Sequence, residues 1–303
     1  MVKVLICDHV EVERLLLGPG FDVDYRPTIT KEELLGVVGD YDALIIRSRT
    51  KVDRDILSRG VKLKLVARPG TGLDNVDVEY AKSRGIAVVN SPESLVEAVA
   101  EHVVLLMLAQ SRKLVEADLG TKSGKWEKSA LIGRELKGKV LGIVGLGRIG
   151  TRIAEIAKTV GMSILVYDVI VLPPDLIAEL RAKVVSLEEL FASSDFITLH
   201  VPMTPETSHL VNEARLALMK KGSVIINTSR GGVIDEKALA AALTEGRIGG
   251  ASLDVFEKEP PTGAIMSAPN TILTPHIGGQ TEEAQTNAIV VIGEKVKAFF
   301  SSG

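Results

Sequence analysis

Residues 139–168 read KVLGIVGLGRIGTRIAEIAKTVGMSILVYD. An apolar run, VLGIV, leads into glycines at 145, 147 and 150 in the spacing G-x-G-x-x-G. A helical stretch follows, and a second β-branched run ends on Asp168. A glycine triplet alone says little, because any sharp turn after a strand selects glycine. Here strand, glycine turn, helix and strand come in the order of one βαβ unit with an acid at the second strand's end, the arrangement that binds a dinucleotide. Gly145 permits the tight turn, Gly147 lets the backbone approach a pyrophosphate, and Gly150 lets helix and strand pack closely. The pyrophosphate then lies at a helix N-terminus, where unpaired N–H groups and the helix dipole favour an anion. Arg148 and Ile149, inside the motif, belong to the same expected contact set. Asp168 is placed to accept from the ribose hydroxyls and to repel a 2′-phosphate, so the expected cofactor is NAD and not NADP.

Outward from this unit, short β-branched runs alternate with helical periods along nearly the whole chain, which indicates parallel α/β architecture. Before it lie the strands VKVLIC, ALIIRS, LKLVAR and AVVN, with a helix over Thr30–Val38 opened by a Thr30/Glu33 capping box. SLVEAVAEHVVLLMLAQSRKLVEADL, from Ser94, reads as one buried helix of about seven turns if continuous, and KWEKSALIGRELKGK as a polar connector. From Lys139 the strands are VLGIVG, SILVYD, DFITLHV, SVIINTS, GASLDV and TILTPH, with helices starting at Ser186 (with Glu189, a second capping box) and at Asp235. The final TEEAQTNAIVVIGEKVKAFF is an amphipathic helix suited to fold back on the first domain. The expected fold is α/β with two doubly wound parallel-sheet domains, a Rossmann cofactor domain and a smaller, flavodoxin-like one.

A chain of 303 residues is long for a single core, which also favours two domains. A net charge of −3 argues against nucleic acid or an anionic membrane as the main partner. Apolar stretches such as VVLLMLA at 103–109 read as too short for a membrane span, and MVKVLICD reads as a first strand, not a signal peptide. With Cys7 the only cysteine, neither an internal disulfide nor a cysteine metal cluster is possible, and a reducing cytoplasm fits.

Six segments in order, RSRTKV (47–52), RPGTGLDNVD (68–77), GLGRIG (145–150), NTSRGGVIDE (227–236), LDVFEKEPP (253–261) and TPHIGG (274–279), make nearly the whole chain resemble the D-isomer-specific 2-hydroxyacid dehydrogenases. The likeness is greatest to the members that oxidise D-3-phosphoglycerate to 3-phosphohydroxypyruvate at the start of serine synthesis. The resemblance implies that residues 1–93 and 278–303 form a discontinuous substrate-binding domain and 94–277 the NAD-binding domain. It implies Arg230 as the substrate-carboxylate arginine, His276 as the acid–base residue and Glu259 as its partner. Cofactor contacts are implied at Thr71, Val201, Pro202, Thr228, Ser229, Arg230, Asp254, His276, Gly278 and Gly279. Substrate contacts are implied at Arg47, Ser48, Arg68, Gly70, Arg230 and His276. Arg49 stands where those members often have a small residue and is expected to face solvent. A homodimer through the cofactor domain is also implied, and the apolar helix from Ser94 agrees.

These residue types suit the reaction. Oxidising a 2-hydroxy acid removes a hydride from carbon and a proton from the hydroxyl, and imidazole is the usual base near neutral pH. A carboxylate beside it favours imidazolium and fixes the ring. A guanidinium holds a carboxylate in a planar fork. Taken singly, each has an ordinary alternative: His276 as a hydrogen-bonded loop histidine, Glu259 as a solvated turn residue, Arg230 as a helix cap or partner of Asp235. Glyoxylate and hydroxypyruvate reductases share the catalytic trio and stay open as a second reading. A non-catalytic NADH-sensing module is a third, from another class. Two departures from the family pattern stand out. Ser94, Leu95 and Val96 replace the usual glycine, asparagine and serine of the loop into the long helix, and the chain stops at Gly303. The second leads to the expectation of a short form without a regulatory domain and without serine feedback through one.

Overall fold

The computed structural model describes residues 1–301. The chain divides into two compact units, one of Met1–Val96 with the chain from Gly279 onward, the other Glu97–Gly278.

The first unit holds five strands: β1 (Val2–Ile6), β2 (Phe21–Tyr25), β3 (Ala43–Ile45), β4 (Leu65–Arg68) and β5 (Ala87–Asn90). They form one parallel sheet in the order β2-β1-β3-β4-β5. The central strands are buried on both faces over Val4–Ile6, Ala43–Ile45 and Leu65–Ala67, which is why these stretches are continuous apolar runs. The sequence reading missed β2. Its FDVDY alternates apolar residues with aspartates because it is an edge strand with one face in water. The Thr30/Glu33 capping box forms as expected, Glu33 N–H donating to Thr30 Oγ1 at 3.2 Å and Thr30 N–H to Glu33 Oε2 at 2.8 Å. The C-terminal helix, Glu282–Ser301, belongs to this unit. Its Ile289, Ile292 and Val296 pack on Val4, Ile6 and Ile45.

The second unit holds seven strands: β6 (Val140–Val144), β7 (Ser163–Tyr167), β8 (Ala182–Val184), β9 (Phe196–Leu199), β10 (Val224–Asn227), β11 (Gly250–Leu253) and β12 (Thr271–Leu273). The order is β12-β11-β10-β9-β6-β7-β8, all parallel. β8, again an edge strand and only AKV in sequence, was the second one missed. The chain reverses direction across the sheet between β6 and β9, and the glycine motif follows β6 at this switch point. The helix from Ser186 is capped by the Ser186 hydroxyl alone, because the Glu189 carboxylate turns to Lys183 at 2.7 Å instead of closing the box.

The stretch from Ser94 is not one helix. A short 3₁₀ turn (Pro92–Leu95) leads into Val96–Ser111, the chain breaks at Lys113 in a left-handed conformation (φ 49°), and a second helix runs Leu114–Lys122. By length and composition alone Pro92–Ser111 is long and apolar enough to cross a membrane, contrary to the sequence reading. Its Ala100, Val103, Leu106 and Met107 instead pack with Leu141, Ile143 and Ile153 in the core of the second unit. This accounts for one apolar face of the helix, while Leu105 and Leu108 outside it are exposed.

Candidate active site

The glycine turn is built as the spacing demands. Gly145 has φ 93°, and a side chain there would come within 2.5 Å of the His200 carbonyl at the end of β9. A Cβ at Gly150 would lie 2.3 Å from the Gly145 carbonyl, so the helix Arg148–Thr159 can approach β6 this closely only without a side chain. Gly147 is different, since a Cβ there would meet nothing within 4 Å. It is the N-cap of the helix and has no capping side chain, leaving the first helical N–H groups for an anion. Arg148 is exposed beside it and Ile149 half-buried. Val201 packs against the Gly145 turn, and Pro202, next to it, accepts a hydrogen bond from Thr207 Oγ1 at 2.6 Å.

Asp168 follows β7 and accepts from Leu146 N–H of the glycine turn at 2.7 Å and from Ile170 N–H at 3.2 Å. The carboxylate is thereby held at the motif's rim, and each oxygen keeps lone-pair capacity for a ribose hydroxyl. The next residues, Val169, Ile170 and Val171, are exposed and carry no cation to receive a 2′-phosphate. After β10, the Thr228 hydroxyl oxygen is buried with no hydrogen-bond partner among the described residues. An orphaned buried hydroxyl is costly unless a ligand completes it. Open backbone at Gly147, free helix N–H groups, a fixed carboxylate and an orphaned hydroxyl together fit a dinucleotide.

The two residues expected as the acid–base pair come from separate loops of the same unit. His276 follows β12 in a left-handed conformation (φ 56°). Its Nδ1 lies 3.0 Å from Glu259 Oε2 and 3.1 Å from Oε1. Both side chains are about half exposed, 53% and 44%, and so open to a substrate. Nδ1–H donating to the carboxylate fixes the tautomer and leaves Nε2 as the available nitrogen. Asp254, 1% exposed, orders the same loop. Its carboxylate accepts from Thr274 Oγ1 (2.6 Å), Ile277 N–H (2.8 Å) and Gly278 N–H (2.7 Å), with His102 Nε2 at 3.7 Å. Burial would raise its pKa, but the nearby His102 ring and hydrogen bonds from Thr274 and the two backbone donors outweigh this and hold it below the usual carboxylate range. The carboxylate of Asp254, a residue expected among the cofactor contacts, shapes the histidine loop.

Arg230 lies in the turn after β10. Asn227 ties this turn, its Oδ1 accepting from Ser229 N–H (3.0 Å) and Oγ (2.8 Å) and its Nδ2 donating to the Arg230 carbonyl (2.9 Å). Arg230 Nη1 donates to the Ser229 carbonyl at 2.6 Å. Gly231 brings the turn onto the chain leading to Glu259, for a Cβ there would fall 1.8 Å from the Phe256 carbonyl carbon. In the sequence Asn227 stood out only as the first residue of NTSRGGVIDE at a strand end.

The remaining expected residues lie in the first unit. Arg47 reaches Gln285 Oε1 of the C-terminal helix, and Gln285 Nε2 donates to the Gly279 carbonyl at 2.7 Å. Ser48 is exposed. The Arg68 guanidinium lies over Gly70, within 3.1 Å of where a Cβ would be. Gly70 exchanges hydrogen bonds with Ser91, and Asn90 Nδ2 donates to the Thr71 carbonyl at 2.6 Å. The Thr71 and Ser94 hydroxyl oxygens are buried with no partner among the described residues. Leu95, at the departure from the family pattern, fills the space against Gly279 where a side chain would otherwise go. Arg49 is exposed as expected, with 49% of its side chain open to solvent, and its guanidinium also has protein partners. It ion-pairs with Asp8 at 2.9 Å and donates to the carbonyls of Ile29 (3.1 Å), Pro27 (2.8 Å) and Cys7, satisfying a cluster of strand-end acceptors.

Comparison with known proteins agrees with this layout. Residues 104–278 match the family model described as D-isomer specific 2-hydroxyacid dehydrogenase, NAD binding domain. A D-3-phosphoglycerate dehydrogenase of Methanocaldococcus jannaschii is 45% identical over 301 residues, 98% of this chain and 57% of that protein. The chain spans about half the length of the curated phosphoglycerate dehydrogenases it matches. A hydroxypyruvate reductase of Thermotoga maritima is 46% identical over 272 residues, 88% of each chain. Among solved structures, a D-lactate dehydrogenase from Aquifex aeolicus complexed with NAD and lactic acid superposes with a TM-score of 0.86 at 32% identity, covering 99% of this chain and 96% of that one. NAD is thus the cofactor of the second unit. With two all-parallel α/β units, a glycine turn at the switch point and a histidine–glutamate pair after the last strands, the chain belongs to the D-isomer specific 2-hydroxyacid dehydrogenase family.

Proposed function

We propose that the protein oxidises D-3-phosphoglycerate to 3-phosphohydroxypyruvate with NAD, the step that opens phosphorylated serine synthesis. The observation that carries the reading is the pair of contacts from His276 Nδ1 to Glu259, at 3.0 and 3.1 Å. They orient the ring and leave Nε2 to take the proton of the substrate hydroxyl, or to return it to the carbonyl oxygen in reverse. NAD, when bound, accepts the hydride from the substrate carbon. Arg230 holds the substrate carboxylate and aligns the C2 oxygen. Asp254 keeps the histidine loop in place through the N–H groups of Ile277 and Gly278. Thr228, Ser229, Val201, Pro202, Gly278 and the first-unit residues Thr71 and Gly279 complete the cofactor contacts. Arg47, Ser48, Arg68 and Gly70 bind the anionic groups of the substrate, with the arginines taking the phosphate.

The chemistry is equally that of a hydroxypyruvate or glyoxylate reductase, and the Thermotoga maritima relative favours that second reading. A panel with NAD and 3-phosphoglycerate, glycerate or lactate, and with NADH and hydroxypyruvate or glyoxylate, separates the two. The first reading expects the highest kcat/KM with 3-phosphoglycerate, and a clear preference for the unphosphorylated acids overturns it. NADH binding without turnover of any of these acids would leave the sensing-module reading.

The second unit also exposes Leu105, Leu108, Leu114, Val115, Leu119, Trp126 and Ile132 on and beside the helices Val96–Ser111 and Leu114–Lys122. So many large apolar side chains in one region of a surface mark an association site. We assign it to a second copy of the chain, giving a homodimer through the cofactor domain.

A further inference from the structure

The first unit fixes the turn carrying Arg47 and Ser48 more firmly than a surface turn requires. The N–H groups of Arg47 and Thr50 both point to Oδ2 of Asp8, at 2.5 and 3.4 Å. The carbonyls of the same two residues both accept from Nδ2 of Asn75, each at 2.6 Å. One side chain therefore gathers the donors of the turn and another gathers its acceptors. Asp8 follows β1, is 2% exposed, and pairs through its other oxygen with Arg49. The Thr50 hydroxyl donates to the Cys7 carbonyl at 3.3 Å. The seam continues as Val52 N–H donates to the Asn75 carbonyl (2.8 Å) and Asp77 N–H to the Val52 carbonyl (3.0 Å).

Asn75 lies in the loop that follows β4 and contains Gly70 and Thr71, directly after Arg68. Its amide thus fastens the turn of Arg47 to the loop of Arg68. Burying a carboxylate is costly, and an exposed turn could leave its N–H groups to water, so fold stability alone gives little reason for the arrangement. Holding two guanidinium-bearing loops in one geometry lowers the ordering cost of binding an anion between fixed positions. We propose that Asp8 and Asn75 are positioning residues that set the geometry of the Arg47–Ser48 turn relative to the Arg68–Gly70 loop for the anionic substrate, acting through these loops without touching it. The proposal rests on the reading that those loops bind the substrate.

The test uses Arg47→Ala, Asn75→Ala and Asp8→Asn in the full chain, assayed with NAD and the acid the wild-type protein turns over best. Arg47→Ala probes the underlying reading, since an unchanged KM for the acid removes these loops from substrate binding and the proposal with it. Where Arg47→Ala raises that KM, Asn75→Ala and Asp8→Asn should each raise it by roughly tenfold, the effect of lost hydrogen bonds and a displaced cation. Saturating kcat and the KM for NAD should stay within about twofold of wild type. A merely structural role predicts the opposite split: kcat falls with the active fraction while KM holds. That split overturns the proposal. So does failure of both variants to fold, which would make the pair a determinant of the fold and not of substrate geometry.

Discussion

At the scale of single residues, the site depends on a few side chains whose partners are already in place. His276→Ala removes the proposed acid and base together, and kcat should fall by ~10²–10⁴-fold. NADH affinity, read by fluorescence titration, should change little, and an undiminished kcat would assign the proton transfer elsewhere. Asp168 is held at the rim of the glycine turn by Leu146 N–H. Asp168→Ala removes the carboxylate proposed to repel a 2′-phosphate, so the ratio of kcat/KM for NAD over NADP should drop. An unaltered ratio would separate Asp168 from ribose recognition. His200, which follows β9, differs from His276 in its surroundings. Its Nε2 lies 2.8 Å from Thr198 Oγ1, and burial of the ring pushes its pKa down to about 3, although the residue as a whole keeps some accessible surface. It stays neutral and serves the packing beneath the glycine turn.

At the scale of elements, the close approaches between loops matter more than helix or strand propensity. The turn after β10 reaches the chain before Glu259 only because position 231 has no side chain. Gly231→Ala would drive a methyl group into the Phe256 carbonyl carbon. The variant should lose about 3 kcal/mol or more, as overpacking against backbone cannot be relieved by a rotamer change. Urea unfolding checks this, and a wild-type midpoint would show that the Arg230 turn is not held by that contact. The helix break at Lys113 belongs to the same scale. Nothing in the continuous apolar pattern from Ser94 announces it, because periodicity reports which face is buried and not where a neighbour turns the chain. Capping was legible at Thr30, Ser186 and Asp235, since an N-cap bonds to residues three positions ahead. Only the second half of the Ser186 box failed, where Lys183 drew Glu189 away.

At the scale of the whole molecule, pH and association are the accessible probes. The folded pKa of His200, about 3, lies below its ordinary 6.5. Its contribution to stability is therefore full above pH 6.5 and is lost progressively as the pH falls toward 3. Asp254 and Asp195, with carboxyl pKa values held low, act in the same direction, because protonating them removes bonds made in the fold. The urea midpoint should decline from neutral pH into the acid range, and His200→Gln should flatten the upper part of that decline. An equally steep decline in the variant would clear His200. For association, Leu108→Lys with Leu119→Lys places charges on the exposed apolar region. Sedimentation should show the mass of a dimer for the wild type and of a monomer for the double variant. Two equal masses would move the interface elsewhere or remove it.

The sequence by itself determined what is coded over short range: the βαβ unit around 145–150, most of the parallel strands, the helix starts, and the order of motifs that carries family resemblance. It lost the edge strands β2 and β8, whose mixed polarity reflects one solvated face. The tertiary structure alone decided which polar groups meet. Arg49, exposed as expected, is also bound to Asp8 and to carbonyls of two loops, at Cys7 and at Pro27 and Ile29. Gln285 and Arg47, 238 positions apart, are brought into contact by the returning helix. Asn75 joins two loops that no spacing rule connects. The physical reason is the architecture. Each parallel crossover returns the chain to the same edge of the sheet, so the loops that carry the chemistry are neighbours in space while far apart in sequence. Periodicity fixes each strand, but the pairings among their ends follow from the order in which the sheet is assembled.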